Sequence, residues 1–373
     1  MKTRVPLLLS LVFAVGCSGS SVTGPASLGR VVAASTAAPA TAAPRITVMT
    51  QNMYIGADVD AVIRALVAGD PDAAQAALFA AVATVQETDF PARAQALAAE
   101  IARARPHVVG LQEVEELHID LTALGFPVHI EQDFLALLQA ALAARGLTYG
   151  VAEVMNLRAA PFPAIDVSVT DHDAILFDAD RVLNPRVTTH TYDAEIPPTA
   201  GIVFKRSFVA IDATIDGIPV KIANTHLESG VGTGFGPLRA AQASELLAGV
   251  GTASPAILLG DFNDPPGTQM YSLVTGPGDF TDVWAALRPG APGLTCCEPA
   301  DLSNRVALLS GRIDYVFVRG ISGPQGKLLG QITIVGDQPG DRVPGPSHPV
   351  WPSDHAGVVA SLLLPPAPGL ALQ

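Results

Sequence analysis

Charge is scarce in this sequence, and positive charge is scarcest. Only 15% of the 373 residues are charged, and 22 Lys and Arg face 35 Asp and Glu, for a formal net charge of −13. A protein that holds polyanions by its general field is basic. The balance therefore argues against non-specific affinity for nucleic acid, although a local basic groove or bound cations leave room for a metal-dependent nuclease. Cysteine is nearly absent, with only Cys17, Cys296 and Cys297. No Cys-X-X-Cys pair exists, which argues against a zinc site. No internal repeat of short period is present. The apolar run from Leu7 to Val15 is too short to span a bilayer, and no transmembrane helix is expected in the mature chain.

What is abundant points to a folded domain. Hydrophobic residues make up 49% of the chain, enough for a sizeable core in one large α/β domain or two ordinary ones. Lys2 and Arg4 followed by the Leu7–Val15 run read as a signal segment over residues 1–17. The stretch Ala14-Val15-Gly16-Cys17 resembles a lipoprotein processing site, with Ala14 where Leu is usual. An ordinary secretory signal cut nearby is the other reading, and both place the mature protein outside the cytoplasm, secreted or attached to a membrane through Cys17. Residues 18–44, rich in Ser, Thr, Ala, Gly and Pro, read as a flexible tether. Cys296 and Cys297 are adjacent, so they form either a vicinal disulfide in an oxidising compartment or two free thiols in a loop.

The folded part is expected over 45–365, starting with the strand Arg45-Ile46-Thr47-Val48-Met49. Residues 58–104 are Ala-rich with apolar residues at helical spacing, and residues 131–145 form a further amphipathic helix. Between 148 and 225 the strands YGVAEVMN, AIDVSV, DAILFD, SFVAIDATI and PVKIANTHL follow one another. A helix over 237–250 leads to the buried strand Ala256-Ile257-Leu258-Leu259, which ends in Gly260-Asp261-Phe262-Asn263. Strands at 313–318 and 329–335 and one after His355 complete the chain.

Strand boundaries collect one kind of side chain. Asn52, Glu113, His226, Asp261 with Asn263, Asp314, and Asp354 with His355 each abut an apolar run. Carboxylates gathered at one sheet edge cannot all ionise cheaply. A divalent cation removes the conflict, and oxygen ligands suit Mg²⁺, Mn²⁺ or Ca²⁺. The segments TQNMY, GLQEV, NTHL, GDFN, RIDY and SDH, in that order from about 46 to 362, resemble the motifs of the endonuclease/exonuclease/phosphatase superfamily. The resemblance implies a four-layer α/β/β/α sandwich of two packed mixed sheets flanked by helices, cleaving phosphoesters with a divalent metal. It assigns Asn52 and Glu113 to the metal shell and Asp354 to a second metal position or its network. Asp261 and Asn263 would position the water and the phosphoryl oxygen. His355, held by Asp314, would be general base or phosphate contact, and His226 would touch the phosphate and the leaving oxygen.

Two departures qualify the match. Tyr54 stands where several members have a charged residue, and Asp58 is a candidate substitute; the helical insertion 58–104 is longer than usual and is expected to be a packing layer. Asp171-His172-Asp173 reads as a solvated turn ahead of a phosphate contact of the kind relatives make near such a place, His348 as a loop residue ahead of one that reaches the site, and Arg239 and Arg312 as either phosphate contacts or salt-bridge partners. The Trp-Cys-Asp-Arg signature of inositol phosphatases is missing. The expected function is an exported phosphodiesterase acting on a lipid head group or small organic phosphate, as a monomer. The segments GVGTGFG and PGPSHPVWP, the latter with Trp351 as an interfacial side chain, are the loops that would meet a lipid. An extracellular nuclease on DNA or RNA and a non-catalytic, surface-tethered binding protein are the alternatives.

Overall fold

A computed structural model describes residues 43–159, 166–197, 205–230 and 232–365. The expected signal segment, Cys17 and the tether up to residue 42 lie outside the described residues. In chain order the elements are β1 (Arg45–Asn52), α1 (Val59–Ala68), α2 (Pro71–Thr88), α3 (Phe90–Ala104), β2 (Val108–Asp120), β3 (His129–Asp133), α4 (Phe134–Ala143), β4 (Tyr149–Ala159) and β5 (Asp166–Asp178). They continue with β6 (Val182–Thr191), β7 (Ser207–Ile215), β8 (Ile218–His226), α5 (Phe235–Val250), β9 (Ala256–Asp261), α6 (Gln269–Thr275), β10 (Thr281–Asp282) and α7 (Val283–Leu287). The last are β11 (Asp314–Arg319), β12 (Gly330–Val335), β13 (Val343–Pro344), β14 (Pro349–Val350) and β15 (Gly357–Leu363).

Two mixed sheets form the centre. One runs β12-β15-β1-β2-β5-β4, with β3 paired to β2, and the other runs β10-β11-β9-β8-β7-β6. Each holds one parallel pair, β1 with β2 and β8 with β9, and helices supply both crossovers: α1 to α3 in the first, α5 in the second. Of these strands β9 is apolar on both faces up to Gly260, as a strand covered on both sides must be. Along β9, Ile257 and Leu259 pack between the sheets with Val48, Ile175, Ile222 and Val316, while Ala256 and Leu258 pack outward with Leu246, Met270 and Val274. On the outer face of the first sheet, Met49, Val109 and Leu176 meet Leu78, Leu97 and Phe134 of α2, α3 and α4. The four layers are those expected.

Local chemistry explains the helix limits. Asp58, Asp70 and Asp133 each accept a hydrogen bond from a backbone N–H three residues on, as N-caps of α1, α2 and α4. The cap at Asp133 is why the helix expected from 131 starts only at Phe134, with 129–133 pairing instead as β3. A second difference matters more. DVSV and DAILFD belong to one continuous strand, β5 (Asp166–Asp178), with Asp171-His172-Asp173 in its middle, and the first two residues of AIDVSV lie outside the described residues.

Candidate active site

The two-residue period of the strands brings the polar residues together. Ile46 and Val48 of β1, Val220 and Ile222 of β8, Ile257 and Leu259 of β9 and Val316 and Val318 of β11 face the space between the sheets. Counting on by twos reaches Asn52, His226 and Asp261, and counting back from Val316 reaches Asp314. The inter-sheet layer is therefore apolar for most of its length and polar at one end. Register completes the alignment, because His226 on β8 and Asp314 on β11 both sit opposite Asp261 on β9. Gly260 has φ +148°, and a Cβ there would collide with the Thr225 carbonyl oxygen, so only glycine lets β9 turn Asp261 into this position. Glu113 comes in by another device: it lies in a bulge of β2 against β5 and has φ +52°, and a bulge re-aims the side chain it carries.

Asp261 is the hub. Its Oδ2 lies 3.3 Å from Asn52 Nδ2, 3.5 Å from His226 Nε2 and 3.8 Å from His355 Nε2. Its Oδ1 accepts from Asn263 N at 2.9 Å, and Asn263 Nδ2 donates to Leu227 O at 2.9 Å. Asn52 Nδ2 also donates to Glu113 Oε1 at 3.0 Å, while Glu113 Oε2 accepts from Ile55 N at 2.9 Å. His355 Nδ1 is 2.9 Å from Asp314 Oδ2, which turns Nε2 toward Asp261. Ser353 Oγ locks this end to β1, donating to Asn52 O at 2.7 Å and accepting from His355 N at 3.1 Å.

The two imidazoles differ in charge preference. Burial alone would lower His355, but Asp314 and Asp354 outweigh it and hold its pKa well above the ordinary value. His226 is pushed well below, by burial first and then by Arg206 and His355. Its Nδ1 has no hydrogen-bond partner among the described residues. Asp261 is pushed up to about 7, by burial and then by Asp314. Paired acid–base groups with opposed shifts, at the rim of a rigid sandwich, are an arrangement for proton transfer and anion stabilisation.

Comparison with known proteins agrees. The model of the Endonuclease/Exonuclease/phosphatase family matches residues 49–355. The chain belongs to the endonuclease/exonuclease/phosphatase family. Members are divalent-metal-dependent hydrolases of phosphoester bonds, and this protein is such an enzyme. Among solved structures it is similar to an endonuclease/exonuclease/phosphatase from Beutenbergia cavernae (19% identity, 86% of this chain and 72% of that one, TM-score 0.56). It is also similar to a mannosyl-6-phosphatase from Bacteroides thetaiotaomicron (17% identity, 86% and 100%, TM-score 0.52). Humanized D. rerio TDP2 is a third (17% identity, 85% and 98%, TM-score 0.51). At such identities the likeness is one of fold. No curated protein sequence matches.

The residues present fit the family's metal. The carboxylates of Glu113, Asp261 and Asp354 are oxygen donors suited to a hard cation, and the amide of Asn52 lies beside two of them, with Nδ2 toward Glu113 and Asp261 and Oδ1 accepting from Tyr54 N at 2.9 Å. Asp354, like Asp261, is pushed up to about 7, by burial and by the charge of Glu113 against the opposing pull of His355. Buried carboxyls crowded to this degree are what a divalent ion relieves.

Several residues of this family member's site escaped the sequence reading. Asp171 and Asp173 are no solvated turn: they continue the inter-sheet face of β5 beyond Ile175 and are 8% and 0% exposed. Arg206, whose Nη2 is 3.6 Å from Glu228 Oε1, joins them, and Glu228, Asp171 and Asp173 keep its charge favoured against burial. Asn224, two residues before His226, crosses between the sheets. It donates to Leu111 O at 2.8 Å and Ala174 O at 3.1 Å and accepts from Gln112 Nε2 at 2.6 Å. Polar residues at inter-sheet parity were the signal available for all three positions on β5 and β8. Arg93 of α3 had no such signal. Fully buried, it donates to Met53 O, Tyr54 O, Thr88 O and Pro352 O, so the helical insertion, besides packing, clamps the segment after Asn52 to the one before His355.

Two other expectations change, and the open readings of Arg239, Arg312, His348 and the cysteine pair are decided. Asp58 does not replace Tyr54 in the site; it caps α1, and Tyr54 is buried with its hydroxyl on Ala300 O at 2.8 Å. Trp351 is no interfacial anchor, being 0% exposed with Nε1 donating to Asn304 O, because its ring fills the core under β14. Arg239 and Arg312 are salt-bridge partners, of Asp264 at 2.9 Å and Asp282 at 2.8 Å. His348 is a loop residue whose Nε2 is 3.2 Å from Asp301 O, and Cys296 and Cys297 are joined as a vicinal disulfide.

Proposed function

We propose that this enzyme is an exported phosphodiesterase that hydrolyses the ester of a lipid head group or a small organic phosphate, using Mg²⁺ or a cation of similar chemistry. The observation that carries the reading is the convergence of His226 Nε2, His355 Nε2 and Asn52 Nδ2 within 3.8 Å of one carboxylate oxygen, Asp261 Oδ2. Asn52, Glu113 and Asp354 are the residues that would hold the ion. When bound, such an ion neutralises charge on the phosphoryl oxygens.

The chain's own groups divide the remaining work. Asp261, fixed by Asn263 N, orients the attacking water and takes up its proton. The second amide hydrogen of Asn263 and the Nε2–H of His355 are donors for the non-bridging oxygens, where charge builds as the phosphorus centre is attacked. Asp314 holds the His355 ring and tautomer, as a carboxylate behind a working imidazole does. His226 faces the same oxygen from β8 and hydrogen-bonds the leaving oxygen, which takes up the water's proton from Asp261 and departs as an alcohol.

Substrate choice rests on charge and exposure. A net charge of −13 opposes a polynucleotide substrate. Val306 and Leu308, in the loop between Cys297 and Arg312, are 61% and 53% exposed, an apolar edge suited to a lipid or an organic leaving group. Export is supported by Lys2, Arg4 and the Leu7–Val15 run, and by a disulfide of the kind that persists outside the cytoplasm. The test is a substrate panel with Mg²⁺ and with chelator: a chromogenic bis-phosphodiester, sphingomyelin, glycerophosphodiesters and plasmid DNA. Chelator-sensitive turnover of the lipid or small diesters above DNA is expected. Preferential nicking of plasmid, or wild type and His355→Ala equally inert on all four, would overturn the reading.

A further inference from the structure

The vicinal cysteines stand beside the working imidazole. Cys297 Sγ lies 3.8 Å from His355 Nε2, and the two sulfurs and that nitrogen all fall within 4.8 Å of one another. Cys296 is buried and Cys297 is exposed to solvent. The disulfide is not what keeps the segment there. Thr295 O accepts from Ala356 N at 2.8 Å, Glu298 N donates to Asp354 O at 2.8 Å, and Thr295 Oγ1 accepts from Asp314 N at 3.3 Å. Cys296 itself bonds Gly311 through both its N–H and its carbonyl. These bonds flank the cysteines on both sides and tie them to the residues next to His355 and to Asp314. Opening the S–S bond therefore leaves the segment in place, with the two sulfurs free to part beside His355.

We propose that Cys296, Cys297 and His355 form a redox-gated site for a thiophilic divalent cation such as Zn²⁺ or Cd²⁺, closed while the disulfide stands and opened by a dithiol. The donor set differs in kind from the oxygen donors of Asn52, Glu113 and Asp354. Two thiolates and an imidazole select Zn²⁺ or Cd²⁺ over Mg²⁺, with a fourth position left to water. The imidazole is already prepared as a ligand. Its Nδ1 is held by Asp314, the carboxylate–histidine arrangement that orients a metal-binding ring, and Nε2, which gives up its proton on coordination, lies beside Cys297 Sγ. Opening is a two-electron step: the dithiol gives up two electrons and two protons, the protein S–S bond breaks to two thiols, and the dithiol closes to its own disulfide. On capture of the ion the two thiol protons and the Nε2 proton of His355 pass to solvent.

The consequence for catalysis rests on the proposed phosphodiesterase reading: an ion on His355 Nε2 removes that nitrogen from the substrate and silences hydrolysis. Binding itself does not depend on that reading, and the test separates them. The full chain carrying Cys17→Ser, so that only the pair reports, is prepared oxidised and, after treatment with dithiothreitol and desalting, reduced. Each form is titrated with Cd²⁺ while the ultraviolet thiolate-to-cadmium charge-transfer absorption is read. The reduced protein is expected to take up one equivalent with that band and the oxidised protein none. His355→Ala is expected to keep a band but bind at least about tenfold more weakly, and Asp314→Asn to weaken binding about 10–100-fold. Absence of the band in the reduced protein, or Cd²⁺ bound as tightly by His355→Ala, would sink the proposal. If Cys297→Ser folds, it should lose the band's full intensity; if it does not fold, the oxidised and reduced wild-type pair still decides. Activity is followed in parallel. Cd²⁺ should silence only the reduced enzyme, whereas a protein that shows the band yet hydrolyses nothing in either state rejects the phosphodiesterase reading and leaves the site standing.

Discussion

His355 and His226 point Nε2 at the same oxygen of Asp261, from 3.8 Å and 3.5 Å, yet their surroundings treat them oppositely. His355 has a carboxylate on Nδ1 and a second, Asp354, as its neighbour, and these reverse the effect of burial. His226 has an unpartnered Nδ1 and faces the field of Arg206, so burial prevails. The side of the site formed by β11 and the start of β15 thus favours an imidazolium, and the side formed by β8 a neutral ring. The lesson is that residue type names a candidate and the second ring nitrogen assigns its role.

The largest effect that would sharpen this contrast is on rate. His355→Ala is expected to lower turnover by roughly 10³, and His226→Ala by roughly 10², in line with loss of a charged donor to the non-bridging oxygens against loss of a neutral donor to the leaving oxygen. Equal losses, measured as kcat at saturating substrate, would erase the distinction. Next comes the floor that serves both sides. Asn224→Ala leaves Gln112 Nε2 and two backbone carbonyls without their partner, and is expected to destabilise by about 1–3 kcal/mol, read by urea denaturation. A change below the error of that measurement would mean that the sheets meet at this end without it.

Titration gives a subtler test. Asp314→Asn should lower the His355 pKa, and Arg206→Met should raise that of His226, both followed by NMR of the ring protons. The signs for stability are opposite. His355, raised in the fold, contributes stability that is full below its unfolded value of about 6.5 and is lost as pH rises through the folded value. His226, lowered in the fold, contributes stability that is full above that value and is lost as pH falls. If both variants shift the two rings in the same direction, the contrast is not electrostatic. The smallest effect on activity is expected from a group outside the contrast. Glu100 on α3 is pushed up to about 8, by burial and then by Asp341. The wild type should lose stability as pH rises from about 4.5 toward 8, a loss that Glu100→Gln avoids, so the melting-temperature gap between them should widen over that window while turnover stays the same. A constant gap would refute the assignment.

Much of the site was legible because chemistry and strand period coincide. Asn52, His226, Asp261 and Asp314 each extend a visible apolar alternation, and the GDFN and SDH segments are short and distinctive. Asp171 and Asp173 were misread because Asp is a poor strand former, and only β2 and β4 on either side hold β5 extended through them. Arg93 carried no signal within the Ala-rich helical pattern; it is buried because four backbone carbonyls from three separate segments converge on it.

The order of apolar and polar residues along the chain was enough to determine the strands, the parity of their inward faces and the chemical type of most side chains at their ends, since these follow from local backbone geometry. Which of those ends meet, which histidine is charged, and that two cysteines come to rest beside one of them were decided by sheet register and by loops crossing from one strand to another. Those depend on contacts between residues up to three hundred positions apart, and no local pattern encodes them.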